Sequence, residues 1–489
     1  MLLLGIDIGT SSVKVSIIDA ITQICIASAH YPETEAEIIS IKPGWAEQSP
    51  DKWWEHTQKA IHLAHQTKKY NPKDIGAIGI AYQMHGLVCV DKQQQVLRNS
   101  IIWCDSRAIA YGEKAFKQIG EKESLTHLLN SPGNFTASKL AWVKENEPAI
   151  YERIDKIMLP GDFISMKLTG EISTSITALS EGIFWDFKNE ELSKNILSAF
   201  GFEESLIPII KDVFTEHGRV KKEVAEILML KEGIPVTYKA GDQPNNALSL
   251  NVLQPGEVAA SAGTSGVVYG VTDKVNYDPL SRVNSFAHVN YTKASKRIGV
   301  LLCINGTGIL NSWLKKNFFS GISFEQINRE AATVAIGSDG LQLYPFGNGV
   351  ERVLQNKERG ASMNGLQFNR HHRGHVARAA QEGIVFAMNY GLEIMREMNM
   401  ELKTVRAGNA NMFLSNVFAE SFSNTTGCTV ELYNTDGSVG AARGAGVGAK
   451  VYANFAECFK GMEVIKTIVP NPELKNQYID LYNTWKLGV

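Results

Sequence analysis

The chain has 489 residues, 44% of them hydrophobic and 20% charged, with 49 Lys and Arg against 51 Asp and Glu. That is a globular composition with apolar material for two large domains or three ordinary ones, and it excludes a mini-protein or a disordered polymer. A formal net charge of -2 leaves no positive excess to neutralise a phosphate backbone, which argues against a nucleic-acid partner.

The longest apolar runs, such as Gly299 to Ile304, fall far short of the roughly 18 residues that a membrane-spanning helix needs, so no membrane association is expected. Met1-Leu2-Leu3-Leu4 lacks a basic flank and runs at once into Gly5-Ile6-Asp7, which makes it a strand and not a signal peptide and points to a cytoplasmic protein. Six cysteines, Cys25, Cys89, Cys104, Cys303, Cys428 and Cys458, are scattered without a Cys-x-x-Cys pair, so zinc-ribbon, thioredoxin-like and disulfide-framework readings fall away and buried free thiols are expected. The chain also lacks a His-Glu-x-x-His helix, a Gly-x-Gly-x-x-Gly fingerprint and a Gly-x-x-x-x-Gly-Lys-Ser/Thr loop.

Taken in order, residues 2 to 8 read as a strand, Gly9-Thr10-Ser11-Ser12 as a tight turn, and 13 to 18 as the returning strand. Ser49 with Pro50 marks the start of a helix that carries on through residues 53 to 65. The strand 75 to 82 runs into Gln83-Met84-His85-Gly86, and the strand 100 to 102 into Trp103-Cys104-Asp105-Ser106-Arg107. A helix covers 139 to 145, and the strand 234 to 240 delivers Gly241-Asp242-Gln243. The hairpin pattern then recurs: Glu257 to Ala262, the tip Gly263-Thr264-Ser265-Gly266, and Val267-Val268-Tyr269. Beyond it lie a long amphipathic helix at 376 to 398, a short strand at 404 to 407 entering Gly408-Asn409-Ala410-Asn411, and a Gly/Ala-rich helix at 437 to 449 that suits close packing against a sheet. Alternating strands and helices with one motif repeated at half the chain length predict a duplicated α/β protein with two lobes, divided near residues 245 to 255.

Several of these segments could carry chemistry. Asp7 ends a buried strand beside a turn whose amides and hydroxyls can face a phosphate, and its carboxylate is placed to hold Mg²⁺. One such turn is also an ordinary β-turn, but two matching tips can grip the phosphates of one nucleotide. Asp242, at the end of its strand, suits a general base, and serves as well as a helix N-cap before Pro244. Met84 and His85 could line a sugar pocket, Met against carbon-bound hydrogens and His on a hydroxyl, although a lone loop His is commonly structural. Gly408 to Asn411 reads as a turn that could let a nucleoside approach a bare backbone.

Together these motifs resemble the FGGY family of carbohydrate kinases, within the sugar kinase, Hsp70 and actin superfold, nearly end to end. The resemblance rests on residues 5 to 14, Pro43-Gly44-Trp45-Ala46-Glu47-Gln48, the run 139 to 148, Gly241-Asp242-Gln243, Ala262-Gly263-Thr264-Ser265, Arg378 to Gly383, and Gly437 to Ala442. It implies a two-lobed, ribonuclease H-like fold with an inter-lobe cleft, residues 1–245 serving sugar and phosphate and 246–489 serving the nucleotide, with ATP and Mg²⁺ as cofactors. Gln83-Met84-His85-Gly86 is similar to the sugar loop of the xylulokinase branch, which implies a ketopentose, D-xylulose phosphorylated at O5, touched by Gln83, Met84, His85, Trp103, Asp105, Asp242 and Gln243. Asp242 would be the proton acceptor and, with Asp7, would meet the metal. Gly9, Thr10, Ser11, Ser12 and Lys14 would meet phosphate from one lobe; Gly263, Thr264, Ser265 and Gly308 would do so from the other, with Gly408, Asn409 and Asn411 bordering the adenosine. The family also suggests a homodimer. Two departures stand out: Ala407-Gly408-Asn409 replaces a Gly-Gly-Gly or Gly-Gly-Ala run, and Asn134 stands before Phe135-Thr136 where some relatives have Arg. Ribulose, erythritol, gluconate and glycerol remain as alternative acceptors, and a non-catalytic sugar-sensing ATP binder as an alternative class.

Overall fold

Leu2–Ile8 is buried along almost its whole length, as a run of Leu and Ile without a polar face must be, and it becomes a central strand covered on both sides. In the computed structural model, which describes residues 1–489, it pairs antiparallel with Val13–Asp19 and parallel with Ile75–Tyr82. Pro235–Gly241 joins Ile75–Tyr82 in parallel and Gly218–Arg219 closes that edge antiparallel, while Cys25–Tyr31 closes the other beyond Val13–Asp19.

A second mixed sheet repeats the scheme. Glu257–Ala262 pairs antiparallel with Gly266–Thr272 and parallel with Thr404–Gly408, which pairs parallel with Thr429–Tyr433, and Val464–Ile468 ends the sheet antiparallel. Ile298–Ile304 and Asn284–Ala287 continue it beyond Gly266–Thr272. The same order of pairing senses around two Gly-Thr-Ser hairpins is the duplication expected from the repeated motif.

The chain divides into two units: Met1–Asn251 with Phe286–Ile298 and Thr435–Met462, and Val252–Ser285 with Gly299–Asn434 and Glu463–Val489. In the first, the helix Gly437–Gly448 from near the chain's end lies on the strands Leu2–Ile8 and Ile75–Tyr82. A Cβ at Gly5 would stand 1.8 Å from the Ser438 carbonyl oxygen, and one at Gly79 2.0 Å from that of Ala441. Glycine on the strands and Gly/Ala on the helix are thus both required for this approach. In the second unit the core gathers around the helix Arg373–Glu397, whose Ile384, Val385, Ala387, Met388 and Leu392 are fully buried.

Pro50 opens the helix Pro50–Gln66, as its fixed φ favours, with Ser49 extended at the cap position. The expectation of buried thiols holds for Cys89, Cys428 and Cys458, whereas Cys25 and Cys104 are exposed and Cys303 is half-buried. No helix is long and apolar enough to cross a membrane.

Candidate functional site

The first hairpin tip is closed by Gly9 N donating to the Ser12 carbonyl at 3.0 Å, and leaves Thr10, Ser11 and Ser12 at least partly exposed. Thr10 Oγ1 accepts from Trp103 Nε1 at 2.9 Å and donates to Gln83 Oε1 at 3.3 Å. Buried Gln83 in turn donates to Gln48 Oε1 at 2.9 Å, and Gln48 Nε2 donates back to the Thr10 carbonyl at 2.8 Å. The Gly9–Ser12 turn and the Gln83-Met84-His85-Gly86 loop are therefore joined by one set of hydrogen bonds.

Asp7, at the end of the strand that enters that turn, lies close enough to Asp242 for its charge to act on it. Burial and then the Asp436 charge raise the Asp7 carboxyl to about 6 against the pull of Lys14. Burial and then the Asp7 charge raise Asp242 to about 7, opposed by hydrogen bonds from Gln243. The helix Asp242–Ser249 has Gly241 as its cap, so the N-cap reading of Asp242 is corrected: Asp242 is the first helical residue, in a turn whose free amides favour negative charge.

Lys14 does not stand alone as a phosphate ligand, because its Nζ pairs with Asp436 Oδ2 at 2.5 Å. Asp436 also caps the helix Gly437–Gly448 through the Ser438 and Val439 amides. Despite its burial, Lys14 and these donors hold its carboxyl below the usual range. Asp436 was missed from the sequence; an Asp before Gly-Ser signals a cap, but nothing local pairs it with Lys14.

The Gln83–Gly86 loop is held under strain. His85 has φ +63°, a left-handed conformation that is uncommon for residues other than glycine and is held by its surroundings. Lys139 Nζ donates to the His85 carbonyl at 2.7 Å, and His85 Nδ1 lies 2.9 Å from the Glu181 carbonyl. The ring packs against Phe135 at 4.8 Å and Phe286 at 5.4 Å. Lys139 is fully buried, which pushes its ammonium down to about 7. Its motif was recognised in the sequence, but its contact was not.

Met84 is buried, Trp103 is 47% exposed, and Asp105 is 0% exposed. The Asp105 carboxylate accepts from the Ala46 amide at 2.6 Å and from Arg107 Nε and Nη2, and Asn134 Nδ2 donates to its carbonyl. Asp105 thus anchors the Trp103–Arg107 loop through protein partners, while half-buried Gln243 follows Asp242 in the same helical turn.

In the second unit, the amides of Gly308 and Ile309 donate to the Gly263 and Thr264 carbonyls at 2.9 and 3.1 Å. A Cβ at Gly263 would sit 3.6 Å from Asn411 Nδ2. Gly263, Thr264, Gly308 and Asn411 therefore share one surface, with Thr264, Asn409 and Asn411 exposed and Gly408 and Ser265 half-buried. Asn409 continues the strand by donating to the Tyr433 carbonyl at 2.8 Å. Buried Glu351, also missed from the sequence, accepts from the Asn305 and Gly306 amides and orders the approach to Gly308.

The chain's residues 2–249 match the N-terminal domain, and residues 258–449 the C-terminal domain, of the FGGY family of carbohydrate kinases. It is 28% identical to the xylulose kinase of Bacillus subtilis over 99% of this chain and 95% of that protein, and 28% identical to that of Escherichia coli over 92% and 90%. Among solved structures it resembles a ligand-bound xylulose kinase from Lactobacillus acidophilus (TM-score 0.90, 21% identity, 99% and 97% covered). A gluconate kinase from the same organism (0.89, 21%, 99% and 97%) and an ADP-bound glycerol kinase from Plasmodium falciparum (0.89, 21%, 100% and 98%) are similar to the same degree. These likenesses bear out the duplicated, actin-like α/β fold.

Proposed function

The chain belongs to the FGGY family of carbohydrate kinases, and from that premise we propose that this ATP-using sugar kinase phosphorylates a ketopentose, converting D-xylulose to D-xylulose 5-phosphate. The observation that carries the reading is the convergence of Asp242 with the Met84-His85 loop: the Cβ position of Gly241 lies 2.7 Å from Met84 Cγ, one residue before the carboxylate.

Asp242 accepts the proton of the attacking primary hydroxyl, a role suited to a carboxyl raised to about 7. Thr10, Ser11 and Ser12 suit phosphate oxygens, and within the second unit Gly263, Thr264, Ser265 and Gly308 suit nucleotide phosphates, with Gly408, Asn409 and Asn411 on the adenosine side. Catalysis by such groups is positioning and electrostatic stabilisation of the transferring phosphoryl.

Asp7 and Asp242 are two carboxylates whose mutual repulsion is relieved by a cation, and no third His, Cys, Asp or Glu joins them as a metal-binding group. That donor set fits Mg²⁺, which takes one or two carboxylates and keeps water and substrate phosphates as its other ligands. Bound there, the ion would neutralise phosphate charge.

Charge favours a neutral acceptor over an aldonate. Lys14 is paired with Asp436, Lys139 is bonded to the His85 carbonyl, and Arg107 is held by Asp105 and Glu47. An acceptor carboxylate beside Asp242 would meet like charge, and each of these three cations already has a protein partner.

The test is ADP release with Mg²⁺-ATP across D-xylulose, D- and L-ribulose, D-fructose, erythritol, glycerol and gluconate, with Asp242→Asn as control. D-xylulose should lead, and the variant should lose about 10²- to 10⁴-fold in turnover while still binding ATP. Another leading acceptor would discard the ketopentose assignment, and near-normal turnover by Asp242→Asn would discard the base.

A further inference from the structure

Glu181 ends the helix Ile176–Glu181 and is 0% exposed. Its backbone carbonyl lies 2.9 Å from His85 Nδ1, and its carboxyl Oε1 accepts from the Tyr82 hydroxyl at 2.7 Å. One residue therefore grips both ends of the Tyr82–His85 tetrapeptide. Its carboxyl also abuts Gly241: a Cβ there would stand 2.9 Å from Oε2 and 3.3 Å from Oε1, and Asp242 comes next. The same helix holds the neighbouring segment through the Ala287 amide on Ser180 Oγ and Thr177 Oγ1 on the His288 carbonyl, which seats the Phe286 ring against His85.

We propose that Glu181 is a positioning residue for the acceptor sugar: it sets the spacing between the strained Met84-His85 loop and the Gly241-Asp242 turn. This rests on the assignment of that loop and Asp242 to the acceptor pocket. Glu181 Oε2 has no hydrogen-bond partner, and a buried carboxylate without a counter-charge is unfavourable. Burial first, and then the charges of Asp242 and Asp162, hold the carboxyl well above its ordinary range although Tyr82 donates to it. Glutamine reproduces the shape of this side chain and the oxygen that accepts from the Tyr82 hydroxyl.

The experiment compares wild type, Glu181→Gln, Glu181→Leu and Tyr82→Phe, with D-xylulose as acceptor. Glu181→Leu and Tyr82→Phe should each raise the acceptor KM by about tenfold or more while the ATP KM stays within about twofold, and Glu181→Gln should stay within about threefold of wild type in both. A parallel rise in the ATP KM, or a glutamine variant as impaired as the leucine one, overturns the proposal. Amide hydrogen exchange of residues 83–86, with no sugar or nucleotide present, reads the loop independently of turnover. Faster exchange in Glu181→Leu than in wild type and Glu181→Gln supports the role, and equal rates in all three overturn it. A wild type that is inactive on D-xylulose counts against the substrate assignment alone.

Discussion

Gly437→Ala isolates the position of one carboxylate. A Cβ at residue 437 would stand 2.2 Å from Asp7 Oδ2, against the 3.4 Å or more of an ordinary contact, so the carboxylate must retreat by roughly 1 Å. The obstacle is the Asp7 carboxyl, with Asn246 Oδ1 next at 3.2 Å, and the backbone at 437, the first residue of the helix, lies outside the glycine-only region, so the helix itself keeps its conformation with the methyl in place. A displacement of about 1 Å at a reacting centre can cost about 10²-fold in rate, equivalent to about 2.7 kcal/mol. The expected outcome at saturating Mg²⁺ is a kcat lower by about that factor, with a thermal midpoint close to that of wild type. Gly79→Ala is the contrast: its methyl would meet backbone, 2.0 Å from the Ala441 oxygen and 2.8 Å from its carbon, and should destabilise the fold by about 1–3 kcal/mol or more. A Gly437→Ala enzyme with kcat within about threefold of wild type would refute the importance of Asp7's position. A steep loss of its thermal midpoint would show that the helix, and not the carboxylate, absorbs the methyl.

Three further outcomes follow from the same contacts. Lys139 is held near 7 against its ordinary 10.5, so above pH 7 the unfolded chain binds a proton that the native state does not. The stability of wild type relative to Lys139→Met should therefore rise by up to about 1.4 kcal/mol per pH unit between pH 7 and 10 in urea unfolding, and a constant difference would contradict the burial argument. Glu351→Ala removes the acceptor of the Asn305 and Gly306 amides and should raise the ATP KM by about tenfold without changing the acceptor KM, each such bond being worth about 0.5–1.5 kcal/mol; an effect on the acceptor KM alone would count against this. Thr10→Val breaks the links to both Trp103 and Gln83 and should raise both Michaelis constants, whereas Thr264→Val should raise that for ATP only; a Thr10→Val defect confined to ATP would sever the proposed link between turn and sugar loop.

The two hairpins were legible in the sequence, because alternating apolar runs and a Gly-Thr-Ser tip state a local preference that the chain obeys wherever it folds. The strand ends bearing Asp7, Gln83 and Asp242 were legible for the same reason, as was the Gly/Ala helix at 437 as a close packer. The sheet that this helix covers was not: its glycine partners, Gly5 and Gly79, lie hundreds of residues away. Asp105 shows the limit most plainly. It stands in a loop of the expected kind, yet its carboxylate is bound to Arg107 and the Ala46 amide. Lys139, Glu181, Glu351 and Asp436 were absent from the expected site because each acts through burial and a partner distant in the chain. Strand, turn and helix preferences are local free energies, written residue by residue along the chain. The desolvation that raises Asp7 and Asp242, and the pairing that occupies Lys14 with Asp436, depend on which groups the assembled fold removes from water together; only the tertiary structure decides that.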